Sequence, residues 1–195
     1  MKTNNNKKNP KQKGIQYGIL LAAALALLIK NPSVFLENQT GNQAEIAEQA
    51  APVELTRVID GDTVRIKVNG KESKARLLLI DTPEVSTTKT GSAQKFGEEA
   101  KKQLESIVEG KEISIAFDNT HTQEDDYGRL LVYLFAGDRL VQEEMLEEGY
   151  ARLGYENGEE EYYPLLKKAE QKARGEKKKI WSIPDYVQDY GFSNN

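Results

Sequence analysis

The sequence contains no cysteine. That excludes thiol nucleophiles, disulfides and every thiolate metal site. It contains one histidine, His121, so His-pair metal sites and Cys–His catalysis are excluded as well. A domain of ~140 residues buries enough surface to fold without disulfides, so the missing cysteines leave the compartment open. Basic charge is scarce where it would be expected for a nucleic-acid binder. Six lysines and no acid lie in residues 1–30, leaving 21 basic against 31 acidic residues and a net charge of −10 for the remainder. A passive nucleic-acid binder presents a basic footprint. An acidic domain that handles a polyanion needs another source of local positive charge, and a bound cation supplies one.

Long apolar runs are also scarce. The single candidate, Gly14 to Ile29, spans 16 residues and follows the basic, asparagine-rich "MKTNNNKKNPKQK". This is the order of an export signal. The run is slightly short for a membrane span of ~20 residues. "AAA" and "ALA" at 22–26, and "AEQA" before Ala51, offer small residues for cleavage. A signal peptide and an uncleaved signal anchor over residues 1–30 are both open. In the second case the lysines stay in the cytoplasm, the membrane is a partner, and the rest of the chain is extracytoplasmic. Residues 31–51 lack periodicity and read as a linker, residues 52–183 as the folded domain, and residues 184–195 as a C-terminal tail.

The domain opens β-rich. "VELTRVI" and "TVRIKV" alternate around an Asp-Gly turn, "VNGKES" carries the Asn-Gly hairpin signal, and "ARLLLID" reads as a third, buried strand. In "GEEAKKQLESIVEG", Ala100, Leu104, Ile107 and Val108 share one helical face. "KEISIAF" and "RLLVYLF" supply strands four and five. Two more helices follow, the first with Val141, Met145 and Leu146 inward, the second running from the "EEEYYPLL" stretch to Trp181 with Pro164 in its first turn. Five strands with a helix after the third, then C-terminal helices, predict an α+β, mainly β fold: a five-stranded OB-fold barrel with three helices.

Acidic residues gather at strand ends. Asp60 and Asp62 flank the first turn, and Asp81, Thr82 and Glu84 follow the third strand. In a meander these two places lie at one end of the sheet. Asp62 and Asp81, with the Thr82 carbonyl, then make an all-oxygen set suited to a hard cation, Ca²⁺ or Mg²⁺. Taken alone, "DGD" is ordinary turn chemistry; joined to "DTPE" it reads as half of a cation site. Arg76, within the buried strand, and Arg129, at the entry of another, offer forks for phosphate oxygens. Alternation puts Arg76, Leu78 and Ile80 on one face of the strand and Leu77, Leu79 and Asp81 on the other. Glu84 is the spare carboxylate that can position or deprotonate a water. Tyr127 and Tyr155 can stack on a base or hydrogen-bond a phosphate. His121 reads as a solvated loop residue.

"IDGDTV", "RLLLIDTPE" and "YGRLLVY", then "GYARLGY" and a terminal "IWS", closely resemble the thermonuclease (staphylococcal nuclease-like) family over roughly residues 53–182. The resemblance implies an OB-fold barrel with three helices and Ca²⁺-dependent hydrolysis of DNA and RNA to 3′-phosphate ends. It implies Asp62, Asp81 and the Thr82 carbonyl as Ca²⁺ ligands, with Asp60 acting indirectly. It implies Arg76, Glu84 and Arg129 as the catalytic three, and Tyr127 and Tyr155 around the nucleotide. The chain departs from the family's type member at Asp126 and Asn157, where a lysine and a tyrosine stand there, and in a less lysine-rich "VSTTKTGSAQ" loop. These changes remove positive charge from the substrate side. A non-catalytic nucleic-acid-binding OB-fold module, tethered outside the membrane, is the alternative expectation, and a membrane-tethered protein-contact adaptor a third. No dimerisation signal is evident, so a monomer is expected.

Overall fold

The computed structural model describes residues 49–85 and 93–193. The segment expected as an export signal or anchor, nearly all of the expected linker, loop residues 86–92 and residues 194–195 lie outside the described residues. In chain order the strands are β1 (Ala51–Pro52), β2 (Glu54–Val58), β3 (Thr63–Val68), β4 (Lys71–Leu77) and β5 (Ile80–Asp81). Helix α1 (Gly97–Val108) follows, then β6 (Ile113–Ala116), β7 (Leu130–Ala136), β8 (Arg139–Leu140), α2 (Val141–Glu147), β9 (Arg152–Leu153) and α3 (Tyr163–Gly175).

The main sheet runs β1-β6-β7-β4-β3-β2, with β8 on the side of β7. β1 and β2 are two halves of one extended segment, divided at Val53, whose N–H still bonds to Ile113 O at 2.9 Å. The two ends of the row are therefore joined through the chain, consistent with an OB-like barrel. Its closing seam is the parallel pairing of β4 with β7, Ala75 opposite Leu130 and Leu77 opposite Val132. β2, β3 and β4 form the expected meander, and Val64, Ile66, Ala75 and Leu77 are buried in the core. The β3–β4 turn uses Asn69 and Gly70 with φ of 51° and 79°, the doubly positive geometry that Asn-Gly supplies.

α1 buries the expected Ala100, Leu104, Ile107 and Val108. α2 buries Val141, Met145 and Leu146 together with Gln142. The amide of Gln142 accepts from Leu134 N–H at 3.2 Å and donates to Val132 O at 3.0 Å, so a polar side chain completes the hydrogen bonding of β7. α3 starts with Pro164 in its first turn and ends at Gly175, short of Trp181. The chain turns there through Lys177 and Lys179, both at positive φ, into a 3₁₀ turn at Lys179–Ser182. Trp181 lies under the Arg174 guanidinium of α3, 4.7 Å from the ring centroid.

Two expectations need correction. "ARLLLID" is not one strand: β4 stops at Leu77, Leu78 and Leu79 turn with Leu79 at φ 65°, and Ile80–Asp81 pairs with β9 instead. A left-handed residue resets the alternation of side chains, so Arg76 and Asp81, expected on opposite faces, meet at 3.3 Å. Second, the residues expected as a tail fold back on the domain. Tyr186 is buried, and Val187 bridges Phe192 in a hairpin.

Candidate active site

The Asp60–Thr63 turn joins β2 to β3 with Ile59 N–H bonded to Thr63 O at 2.9 Å. Its glycine is required by close approach rather than by a positive φ. A Cβ on Gly61 would stand 2.8 Å from both Ala100 Cβ and Thr82 Oγ1. The turn is thus pressed between α1 and the segment after β5, which brings the two acidic clusters together. Gly61→Ala is expected to cost about 2 kcal/mol, because neither Ala100 Cβ on the helix nor the Thr82 side chain, whose hydroxyl is bonded to Asp62, is a flexible end that can yield. A denaturation midpoint equal to that of the parent chain would contradict this packing.

Asp62 is saturated. Its Oδ2 accepts from the N–H and hydroxyl of Thr82, each at 3.0 Å, and its Oδ1 accepts from Thr63 Oγ1 at 2.9 Å and from Arg76 Nη1. Asp60 turns its Oδ1 to the Asp62 N–H at 3.3 Å. Arg76 Nη2 reaches Ile80 O at 3.0 Å and Asp81 Oδ1 at 3.3 Å. Asp60, Asp62, Arg76 and Thr82 are 8, 6, 8 and 3% exposed, so this is a buried charge cluster. Burial pushes the Arg76 guanidinium below its usual pKa, Asp81, Tyr155 and Asp60 pull it back, and nearby Arg129 adds to the lowering.

The other expected residues border this cluster. Glu84, beyond Thr82 and Pro83, is half-buried; its N–H is held by Gln94 Oε1 at 2.9 Å, and a Cβ on Gly97 would stand 2.7 Å from its carbonyl. Tyr155 stands with its ring centroid 5.5 Å from Arg76 Cζ, and Tyr127 with its centroid 5.6 Å from Arg129 Cζ. Arg129 is gripped by Asp125 through Nε at 2.6 Å, an ion pair that does not use its two terminal nitrogens. Asp81, Thr82, Glu84 and Tyr155 line an open cavity of about 1260 Å³.

Sequence reasoning missed three side chains here. Arg152 faces Asp81 across the β5–β9 pair and binds its Oδ2 through Nε at 3.2 Å. Gln94 holds the Glu84 backbone. Asp125 also accepts the Tyr127 N–H at 2.9 Å, the aspartate-plus-two turn that the "DDYG" stretch could have announced. His121 is corrected too: it is mostly buried, with Nε2 2.9 Å from Glu160 Oε1, because Glu160 itself is tied down by the Asn157 and Gly158 N–H groups.

The donor set is chemically right for a hard cation. Asp60, Asp62 and Asp81 bring three negative charges against two positive ones from Arg76 and Arg152, a deficit of positive charge in a buried place. Among the described residues no three acidic or imidazole side chains are already arranged around one point, because Arg76 lies between Asp62 and Asp81 as their counter-charge.

An OB-like barrel with a carboxylate–arginine cluster at the mouth of a polar cleft is the class that fold and site define. The family model described as "Staphylococcal nuclease homologue" matches residues 74–183, over half of the chain, and the protein belongs to that family. It is 40% identical over 148 residues to the SPbeta prophage-derived endonuclease YokF of Bacillus subtilis (strain 168), covering 75% of this chain and 49% of that protein. It is 40% identical over 143 residues to the endonuclease YncB of the same strain, covering 72% of this chain and 66% of that one. A thermonuclease of Staphylococcus hyicus is 28% identical over 171 residues, 87% of this chain and 99% of that protein. The chain therefore spans about half of the first relative and just under two thirds of the second.

Proposed function

We propose that the protein is a Ca²⁺-dependent, sugar-non-specific nuclease that hydrolyses phosphodiester bonds of DNA and RNA to 3′-phosphate products. The observation that carries this is Arg76, a buried guanidinium shared by Asp62 and Asp81 beside a cleft that also holds Glu84. The relatives named as endonucleases support the same reading.

Asp62, Asp81 and the Thr82 carbonyl would hold the cation, with Asp60 acting indirectly; when bound it supplies Lewis-acid charge beside the phosphate. The protein's own residues do the rest. Glu84 orients a water and takes its proton as the oxygen attacks phosphorus. The P–O5′ bond breaks, the phosphate stays on the 3′ side, and the departing 5′ oxygen takes a proton from solvent. Arg76 and Arg129 stabilise the extra negative charge on the pentavalent phosphorus, where preorganised donors contribute most. Asp125 aims Arg129 through its Nε. Tyr127 and Tyr155 flank the nucleotide. The basic-then-apolar N-terminus, outside the described residues, goes with an extracytoplasmic enzyme, anchored or secreted; cell fractionation with and without detergent separates those two.

The test is cleavage of plasmid and of RNA, with Ca²⁺ and with a chelator, by the purified protein and by Glu84→Gln. Cleavage that needs Ca²⁺ and falls on the order of 100-fold in the variant is expected. Equal cleavage by the variant defeats the mechanism. No cleavage together with retained oligonucleotide binding favours a non-catalytic binding module.

A further inference from the structure

We propose that the C-terminal hairpin, residues 186–193, is a wall of the substrate cleft. Tyr190 at its tip stacks on an unpaired base next to the scissile phosphate, a base contact additional to those of Tyr127 and Tyr155. This rests on the nuclease reading above and extends it to a residue outside the stretch that matches the family model.

The hairpin is fixed in place. Tyr186 is 1% exposed, sits edge-on to Phe96 with centroids 6.2 Å apart, and packs on Phe192 at 5.5 Å. Its hydroxyl donates to the Lys95 carbonyl. Ser193 N–H bonds to Tyr186 O at 2.8 Å and Gln188 N–H to Gly191 O at 3.0 Å, closing a tight turn around Asp189 and Tyr190. Two further contacts tie this turn to the reacting groups. Gln94 donates to Phe192 O at 3.2 Å while accepting from the Glu84 N–H at 2.9 Å. Arg152 donates to Asp189 O at 3.3 Å while its Nε holds Asp81. The hairpin is therefore coupled to both ends of the Asp81–Glu84 segment.

On this anchored turn Tyr190 is 96% exposed. Among the described residues the exposed large hydrophobic side chains are Tyr127, Tyr155 and Tyr190. The first two stand beside Arg129 and Arg76. The third borders the same cavity as Tyr155, Asp81 and Glu84. A ring carried on a hydrogen-bonded turn, yet left in water, adds nothing to the core. It offers a flat face to a base, and base–aromatic stacking is tolerant of sequence. Lys167 of α3 also lines the cavity and can meet a backbone phosphate, while Asp81 and Glu170 already have Arg152 and Arg174 as partners. A duplex keeps its bases stacked on one another, so only an unpaired strand presents a face to Tyr190.

The experiment uses the full chain with Ca²⁺ on single-stranded oligonucleotides from dinucleotide to dodecamer and on the matching duplex. Tyr190→Ala is expected to raise KM on the longer single strands on the order of tenfold, with a smaller effect on kcat and on the dinucleotide. Tyr190→Phe restores the parent KM, since stacking needs the ring and not the hydroxyl. An active parent chain with an unchanged Tyr190→Ala, or one changed in kcat alone, overturns the hairpin assignment and leaves the nuclease reading standing. A parent chain that cleaves nothing with Ca²⁺ overturns both.

Discussion

Arg76→Lys is expected to lower kcat on the order of 10³-fold while leaving the net charge of the cluster unchanged. The guanidinium spans Asp62, Asp81 and the Ile80 carbonyl from one planar fork. An ammonium is a point donor that cannot meet these partners and a phosphate together. Single-turnover rates on a labelled oligonucleotide measure the loss, and a fall below tenfold would remove Arg76 from the transition state.

A second measurement on the same residue reports on the proposed cation site without using activity. Arg76→Ala leaves two inward-facing carboxylates without their shared counter-charge. Breaking a buried pair from one side costs about 3–5 kcal/mol. A cation held by those carboxylates replaces part of the lost charge and stabilises the native state by mass action. The gain in Tm between chelator and millimolar Ca²⁺ is therefore expected to be larger for Arg76→Ala than for the parent chain. Equal gains would mean that the arginine and the cation do not share Asp62 and Asp81.

Asp118→Ala carries the largest expected loss of stability away from the chemistry, about 4 kcal/mol or on the order of 10 °C in Tm. This buried carboxylate accepts from the hydroxyl of the fully buried Tyr133 at 2.7 Å, from Thr120 N–H at 2.7 Å and from Glu161 N–H at 3.3 Å. It joins β7, the loop after β6 and the approach to α3. Removing it strands the Tyr133 hydroxyl in the core. Burial alone would raise the Asp118 carboxyl, but the hydrogen bonds from Thr120, Tyr133 and Glu161 outweigh it and hold the pKa below the ordinary value. Glu160 behaves alike: burial raises it, and Asn157, His121 and Gly158 more than reverse that. A carboxylate depressed in the folded state stabilises the protein fully above its unfolded pKa of about 4, and that contribution disappears as pH falls through the folded value. Tm should fall on acidification below about pH 4, with shallower slopes in Asp118→Asn and Glu160→Gln. Parallel acid limbs in all three proteins would assign the acid sensitivity elsewhere.

Much of the architecture was readable in advance because it depends on local pattern. Period-two alternation marked β2 and β3, and Asn69-Gly70 marked the hairpin into β4, whose end was misplaced. The Ala100–Leu104–Ile107–Val108 stripe marked α1, since a helix buries whatever falls on one face. The acidic turns could be paired because a meander returns its chain to the same end of the sheet. What failed was wherever the chain leaves regular geometry. No propensity places Leu79 in a left-handed turn; tertiary hydrogen bonds do, from Leu78 N–H to Val132 O at 2.9 Å and from Gly154 N–H to Leu79 O at 3.1 Å.

The sequence by itself determined which chemistry is possible: oxygen ligands and arginines without thiols or paired histidines, on a barrel framed by alternation and helical stripes. Only the tertiary structure decided how those groups meet. It put Arg76 between Asp62 and Asp81, Arg152 behind Asp81, Glu160 on His121, and the C-terminal hairpin against Gln94, 98 residues away along the chain. The reason is physical. Hydrophobic periodicity is a property of neighbours in the chain. The charge balance of a buried site depends on distances across the fold, which no local pattern encodes.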